Sequence, residues 1–127
     1  MVESRHVAVP DPAEDAKKSL QDFPAAHPDA NAVRGGWAAW DEPAFGATQA
    51  IRAAGRDGIA VVGWTGRTSC PPRSAKGGPF KATVRQDEDV IADRVVVLVE
   101  DSLHGKQPEE REYRLPGQVL TGWCARC

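Results

Sequence analysis

The sequence predicts an α/β fold, a partial three-layer sandwich built on a parallel sheet. Two observations carry that prediction. Residues 37–64, WAAWDEPAFGATQAIRAAGRDGIAVVGW, read as a strand end, a capped helix, a tight turn and a second strand, and such units wind right-handed into parallel sheets. Phe80 to Val84 (FKATV) then alternates as a third strand, and a longer apolar stretch of helical length follows it. A length of 127 residues fits one domain.

In chain order, Val7 and Val9, with Val2 as a further candidate, form a short strand that ends at Pro10. Asp11-Pro12 opens a helix, because proline lacks only an N–H that the first turn leaves unpaired anyway. Glu14 and Asp15 suit the positive end of the helix dipole. Ala13, Ala16, Leu20 and Phe23 make its apolar stripe, and Pro24 breaks or kinks its last turn. A turn over Ala25–Asp29 leads into a strand from Ala32 to Trp40, which Arg34-Gly35-Gly36 interrupts.

Asp41 stands at the N-cap position of the central helix, where a carboxylate accepts from first-turn N–H groups. Pro43 falls in that first turn. Phe45, Ala47, Ala50, Ile51 and Ala54 recur at helical spacing, and Gly55 closes the helix in the left-handed region. Ile59 to Gly63 is too short for a helix and rich in β-branched residues, so it reads as a strand. Residues 65–78 form an irregular loop, since Pro71-Pro72 oppose a continuous helix. In Glu88 to Glu100, Val95-Val96-Val97 favours a strand, whereas the acidic start and Gly105 favour a helix; the helix reading is adopted. Tyr113 to Thr121 is a last strand, broken at Pro116-Gly117.

Composition excludes several functions. The 16 basic and 18 acidic residues are interleaved and leave a net charge of −2, so there is no basic field for nucleic acid and no polybasic membrane patch. No apolar run reaches the roughly 18 residues of a membrane span. The apolar fraction of 41% is rich in alanine, so the core is expected to be modest.

In open α/β sheets ligands bind beyond the carboxyl ends of the strands. Those ends deliver Trp40 and Asp41, then Trp64 and Thr65, then Arg85, Gln86 and Asp87. An indole offers a flat apolar face, and a carboxamide both donates and accepts. That set suits a carbohydrate better than a charged metabolite. Set against this, Trp40 and Trp64 equally suit core or lobe packing, and Asp41 suits a helix cap.

Three blocks carry a resemblance. WDEPAFGATQAIRAAGRDGIAVVGW resembles the second lobe of the type I periplasmic solute-binding proteins, the sugar-binding subunits of ABC importers. The same fold forms the effector domain of lac-repressor-type regulators. Ala75 to Asp87 (AKGGPFKATVRQD) resembles the family's next strand, and Val90 to Lys106 with Tyr113 to Thr121 resembles its closing helix and strand.

The resemblance implies an incomplete periplasmic-binding-protein-like lobe that binds a sugar or polyol, without catalysis or cofactor. It implies the membrane subunits of an ABC importer as partners and a periplasmic location. It places Trp40, just before the Asp-Glu pair, and Gln86, at the end of ATVRQ, against the ligand. Thr65-Gly66 stands where the family carries Asp-Gly, which removes a charge-assisted hydrogen bond. The likeness covers the later part of the second lobe and none of the first, and residues 1–10 lack an apolar core of signal-peptide length. The expectation is a truncated or degenerate copy, with a cytoplasmic location as the alternative.

Two other classes stay open. One is a regulatory or assembly module derived from an effector domain, without ligand binding. The other is a small metal- or thiol-dependent protein using Cys70 and the terminal Cys124-x-x-Cys127. Zinc wants four ligands; three Cys plus one of His6, His27 or His104 reach that number, but their spacing matches no zinc pattern. No metal site and no catalytic group are assigned.

Overall fold

The computed structural model describes residues 3–29, 31–56, 58–66 and 78–121. Among them are helices α1 (Pro12–Gln21), α2 (Phe23–Ala26), α3 (Asp41–Ala53) and α4 (Glu88–Leu103). The strands are β1 (Gly35–Trp37), β2 (Ala60–Val62), β3 (Phe80–Gln86) and β4 (Gly117–Thr121). They form one sheet in the order β1-β2-β3-β4. β1, β2 and β3 run parallel, and β4 returns antiparallel beside β3. The fold is α/β on a mostly parallel sheet.

Local chemistry explains most boundaries. Asp11 caps α1 by accepting from the Glu14 N–H at 3.3 Å, with Pro12 in the first turn. α3 ends in a Schellman motif: the Arg56 N–H reaches the Ile51 carbonyl, the Gly55 N–H reaches that of Arg52, and Gly55 takes φ +65°. α4 is capped by Asp87, which accepts from the Val90 N–H at 3.2 Å. It closes in the same way through Gly105 and Lys106, whose N–H groups reach the carbonyls of Ser102 and Asp101. Capped at both ends, its valines stay helical against their β propensity. No helix among the described residues is long and apolar enough to cross a membrane.

Four expectations need correction. Val7 and Val9 form no strand; the Ala8 N–H is taken by the Asp15 carboxylate at 3.0 Å, which ties the segment to α1 instead of to a ladder. β1 is made of the very glycines expected to interrupt it; upstream, the Asp29 carbonyl accepts from the Ala32 N–H and the Asp29 carboxylate from the Asn31 N–H. The ladder then begins where the Arg34 carbonyl accepts from the Ala60 N–H. Asp41 does not cap α3: the N-cap is Trp40, at φ −154° and with no side-chain cap bond. Finally, Thr65 continues the sheet rather than starting an irregular loop, donating its N–H to the Val84 carbonyl at 3.0 Å and bridging to Arg85. The rest of that loop, including Pro71-Pro72, lies outside the described residues, as do Cys70, Cys124 and Cys127.

The core is small. Ala44 and Ile51 of α3 bury against Ile59 and Val61, with Ala38, Ala47 and Phe80 packed around them. α1 lies on the outer side of α3. At their crossing Gly46 faces the Ala13 backbone, and a methyl group there would overlap the Ala13 carbonyl oxygen. Side chains alternate along β3. Thr83 therefore points at α3, while Val84 and Gln86 point to the opposite face, where they share a groove with Ile91 and Leu98 of α4. That gives three layers, but the outer one is loose: no residue of α4 is buried.

Candidate functional site

The carboxyl ends of β2 and β3 lie side by side. Beyond them a groove of about 640 Å³ opens, walled by Thr65-Gly66, by Arg85, Gln86 and Asp87, and by Pro116 to Gln118 of the returning chain. That volume falls within the usual size of small-ligand sites, roughly 300–1,000 Å³.

A buried chain of hydrogen bonds fixes the floor. The Gly66 N–H donates to Thr83 Oγ1 at 3.2 Å, and the Thr83 hydroxyl donates to Asp41 Oδ1 at 2.6 Å. Asp41 is 1% exposed and Thr83 4%. The chain joins the start of α3, the middle of β3 and the turn after β2. Two glycines make room for it. A Cβ on Gly63 would overlap Asp41 Oδ1, and one on Gly66, at φ +61°, would overlap Arg85 Cα.

Thr65 sits on that floor at φ +115°, the only non-glycine among the described residues with a positive φ. A β-branched side chain is strained there, at a cost of about 1–3 kcal/mol. Its hydroxyl oxygen is buried and bonds to none of the described residues. Strain of this kind concentrates at ligand sites. Thr65→Gly is expected to raise stability by about 1 kcal/mol, the relieved strain outweighing the added freedom of the unfolded chain. Thermal denaturation checks this; an unchanged or lowered midpoint contradicts it.

Of the four residues named from sequence, the structure brings Thr65 and Gln86 into this groove. Asp41 lies beneath it, holding Thr83. Trp40 is half-buried at the head of α3 and lines neither this groove nor its neighbour. The aromatic that does stand beside Gln86 is Trp64, 39% exposed. Together with Gln86, Pro116 and Gly117 it lines a second groove, of about 610 Å³, that runs under α4. Its place at the end of β2 was the available signal. Pro116 to Gln118 carried none, because only the antiparallel return of β4 brings them to the rim.

The chain is thus a small α/β lobe with a polar groove at its strand ends and an aromatic beside it. Sequence and structure comparisons find the same lobe in solute-binding proteins. The chain is 34% identical over 92 residues to the ribose import binding protein RbsB of Salmonella typhimurium, covering 72% of this chain and 30% of that one. RbsB of Bacillus subtilis is 34% identical over 91 residues, 72% of this chain and 28% of its own. Among solved structures, an ABC transporter solute-binding protein from Agrobacterium vitis with bound allitol superposes with a TM-score of 0.74 at 26% identity, over 95% of this chain and 42% of that chain. An ABC sugar transporter subunit from Rhodobacter sphaeroides gives 0.72 at 26% identity, over 95% and 43%. The dimeric Lac repressor shares the fold, with a TM-score of 0.62 at 22% identity. No protein-family model matches. The chain is related in sequence and fold to the type I periplasmic solute-binding proteins, and the partial match fits their C-terminal part. It spans about 30% of the length of the curated relatives it matches.

Proposed function

We propose that the groove at the ends of β2 and β3 binds a sugar or polyol, as a non-catalytic solute-binding element serving an ABC importer in the periplasm. The observation that carries this reading is that Thr65 and Gln86 meet in this groove, with Trp64 beside Gln86 in the adjoining one. Gln86 offers a planar donor and acceptor to vicinal hydroxyls, and Trp64 a flat face for C–H surface. The proteins it resembles support the reading: RbsB is named for ribose import, and the Agrobacterium vitis protein holds allitol. Thr65 makes a weaker acceptor than the carboxylate that the resemblance sets at this position, so affinity is expected to be modest. The walls carry Asp87, Glu88 and Asp89 against Arg85, a balance that favours neutral solutes over anionic ones.

Titration calorimetry against pentoses, hexoses and polyols, allitol and ribose included, tests this. A saturable signal with at least one of them is expected. Gln86→Ala should weaken it about tenfold, the worth of one or two lost hydrogen bonds. Silence across the panel, or binding that Gln86→Ala leaves unchanged, contradicts the assignment.

A further inference from the structure

Both peptide units that flank the strained Thr65 are anchored to β3. The Thr65 N–H donates to the Val84 carbonyl at 3.0 Å, and the Gly66 N–H donates to Thr83 Oγ1 at 3.2 Å. Peptide units are planar, so with both anchored neither φ nor ψ of Thr65 can relax. A φ of +115° persists in a β-branched residue only where its surroundings over-determine it. The first anchor is ladder backbone, which any residue supplies. The second is a side chain, and it depends on the residue at position 83.

Thr83 can hold that peptide only with its hydroxyl turned one way. A backbone N–H only donates, so Thr83 Oγ1 must accept from Gly66 and send its own proton elsewhere. The carboxylate of Asp41 only accepts, and it takes that proton with Oγ1 and Oδ1 2.6 Å apart. Asp41 thus orients Thr83, and Thr83 holds Gly66. Both side chains are buried, and in a low-dielectric interior such bonds are strong. Neither lines the groove above them.

We propose that Thr83 and Asp41 are positioning residues: they hold the Thr65–Gly66 turn in its strained form, set out for a solute that neither of them touches. What the turn is held for rests on the solute reading above; that it is held does not. A turn set in place beforehand spares binding the entropy of ordering it.

A double-mutant cycle on thermal midpoints tests the hold without any ligand. Thr65→Gly should raise the midpoint of the wild type. In Thr83→Val it should leave the midpoint unchanged or lower it, because a released Thr65 has no strain left to relieve. In Thr83→Ser, which keeps the hydroxyl, the rise should return. Asp41→Asn is the milder break, for use if Thr83→Val does not fold; there the rise should be smaller than in the wild type. A rise of equal size in the wild type and in either broken background shows that the strain is held elsewhere and overturns the proposal. So does the absence of any rise in the wild type, or of its return in Thr83→Ser. Calorimetric titration with ribose and with allitol then reads what the hold does for binding. Thr83→Val should weaken it about tenfold, and Thr83→Ser should recover it to within about threefold of the wild type. Equal weakening by Thr83→Ser and Thr83→Val counts against positioning through the hydroxyl. A wild type that binds neither solute, with the midpoint pattern intact, removes the solute reading alone and leaves the hold on Thr65 supported.

Discussion

Asp41→Ala is expected to lower the unfolding free energy by about 3 kcal/mol. The carboxylate is almost wholly buried and accepts a 2.6 Å bond from Thr83. A hydrogen bond to a charged group contributes about 1.5–3 kcal/mol, and its removal strands a buried partner at a further cost of about 1–3 kcal/mol. The Thr83 hydroxyl would lose its acceptor, and Gly66 would lean on a hydroxyl free to rotate. Asp41→Asn keeps an acceptor in the same place without the charge, so roughly half the loss is expected. Thr83→Val removes the middle of the chain and leaves Asp41 buried beside a methyl group, with a cost close to that of Asp41→Ala. Denaturant midpoints of the three variants give the ranking. If Asp41→Ala falls within about 0.5 kcal/mol of wild type, as an ordinary surface change would, the hydrogen-bond chain does not hold the site together.

Gly46→Ala comes second, with an expected net loss of about 2 kcal/mol. In an exposed helix this change stabilises by about 0.5–1 kcal/mol. Here the new methyl group would overlap the Ala13 carbonyl oxygen, and that obstacle is backbone. No rotamer relieves it, so α1 must move off α3. Overpacking of this kind costs about 1–3 kcal/mol or somewhat more, and it exceeds the helical gain. The sign is the test: a variant more stable than wild type would show that α1 can slide at no cost. The same reasoning makes this crossing, and not the sheet, the part of the fold with the least tolerance for volume.

What could be read from the chain followed from where its chemistry is local. The ends of α1, α3 and α4 are written in Asp11, Gly55, Asp87 and Gly105, each of which acts on backbone groups within a few residues. The β2 and β3 strands follow from short β-branched or alternating runs. The errors fall where the decisive partner is remote. Asp41 has the type and position of a cap, but a threonine forty-two residues later holds its side chain. Gly35 and Gly36 look like an interruption until the edge of β2 gives them a ladder. Val7 and Val9 look like a strand until Asp15 takes the amide between them.

The site divides in the same way. That Thr65 and Gln86 share a groove was legible because strand ends in a parallel sheet converge by topology alone. Which tryptophan stands beside Gln86 was not, since it depends on how far the chain travels between the end of β1 and the head of α3. Two residues separate Trp37 from Trp40, enough to take the latter out of the sheet and into the helix start.

The central claim is that a solute meets Thr65 and Gln86 on one rim above the Gly66–Thr83–Asp41 chain. An amide-resolved NMR titration of the protein with ribose and with allitol tests it most directly. Saturable shifts confined to Trp64, Thr65, Gly66 and residues 85–87, with those of α1 left in place, are the outcome the account predicts. Shifts centred on Trp40 and the head of α3, or no shift at the ends of β2 and β3 with any sugar or polyol, would contradict it.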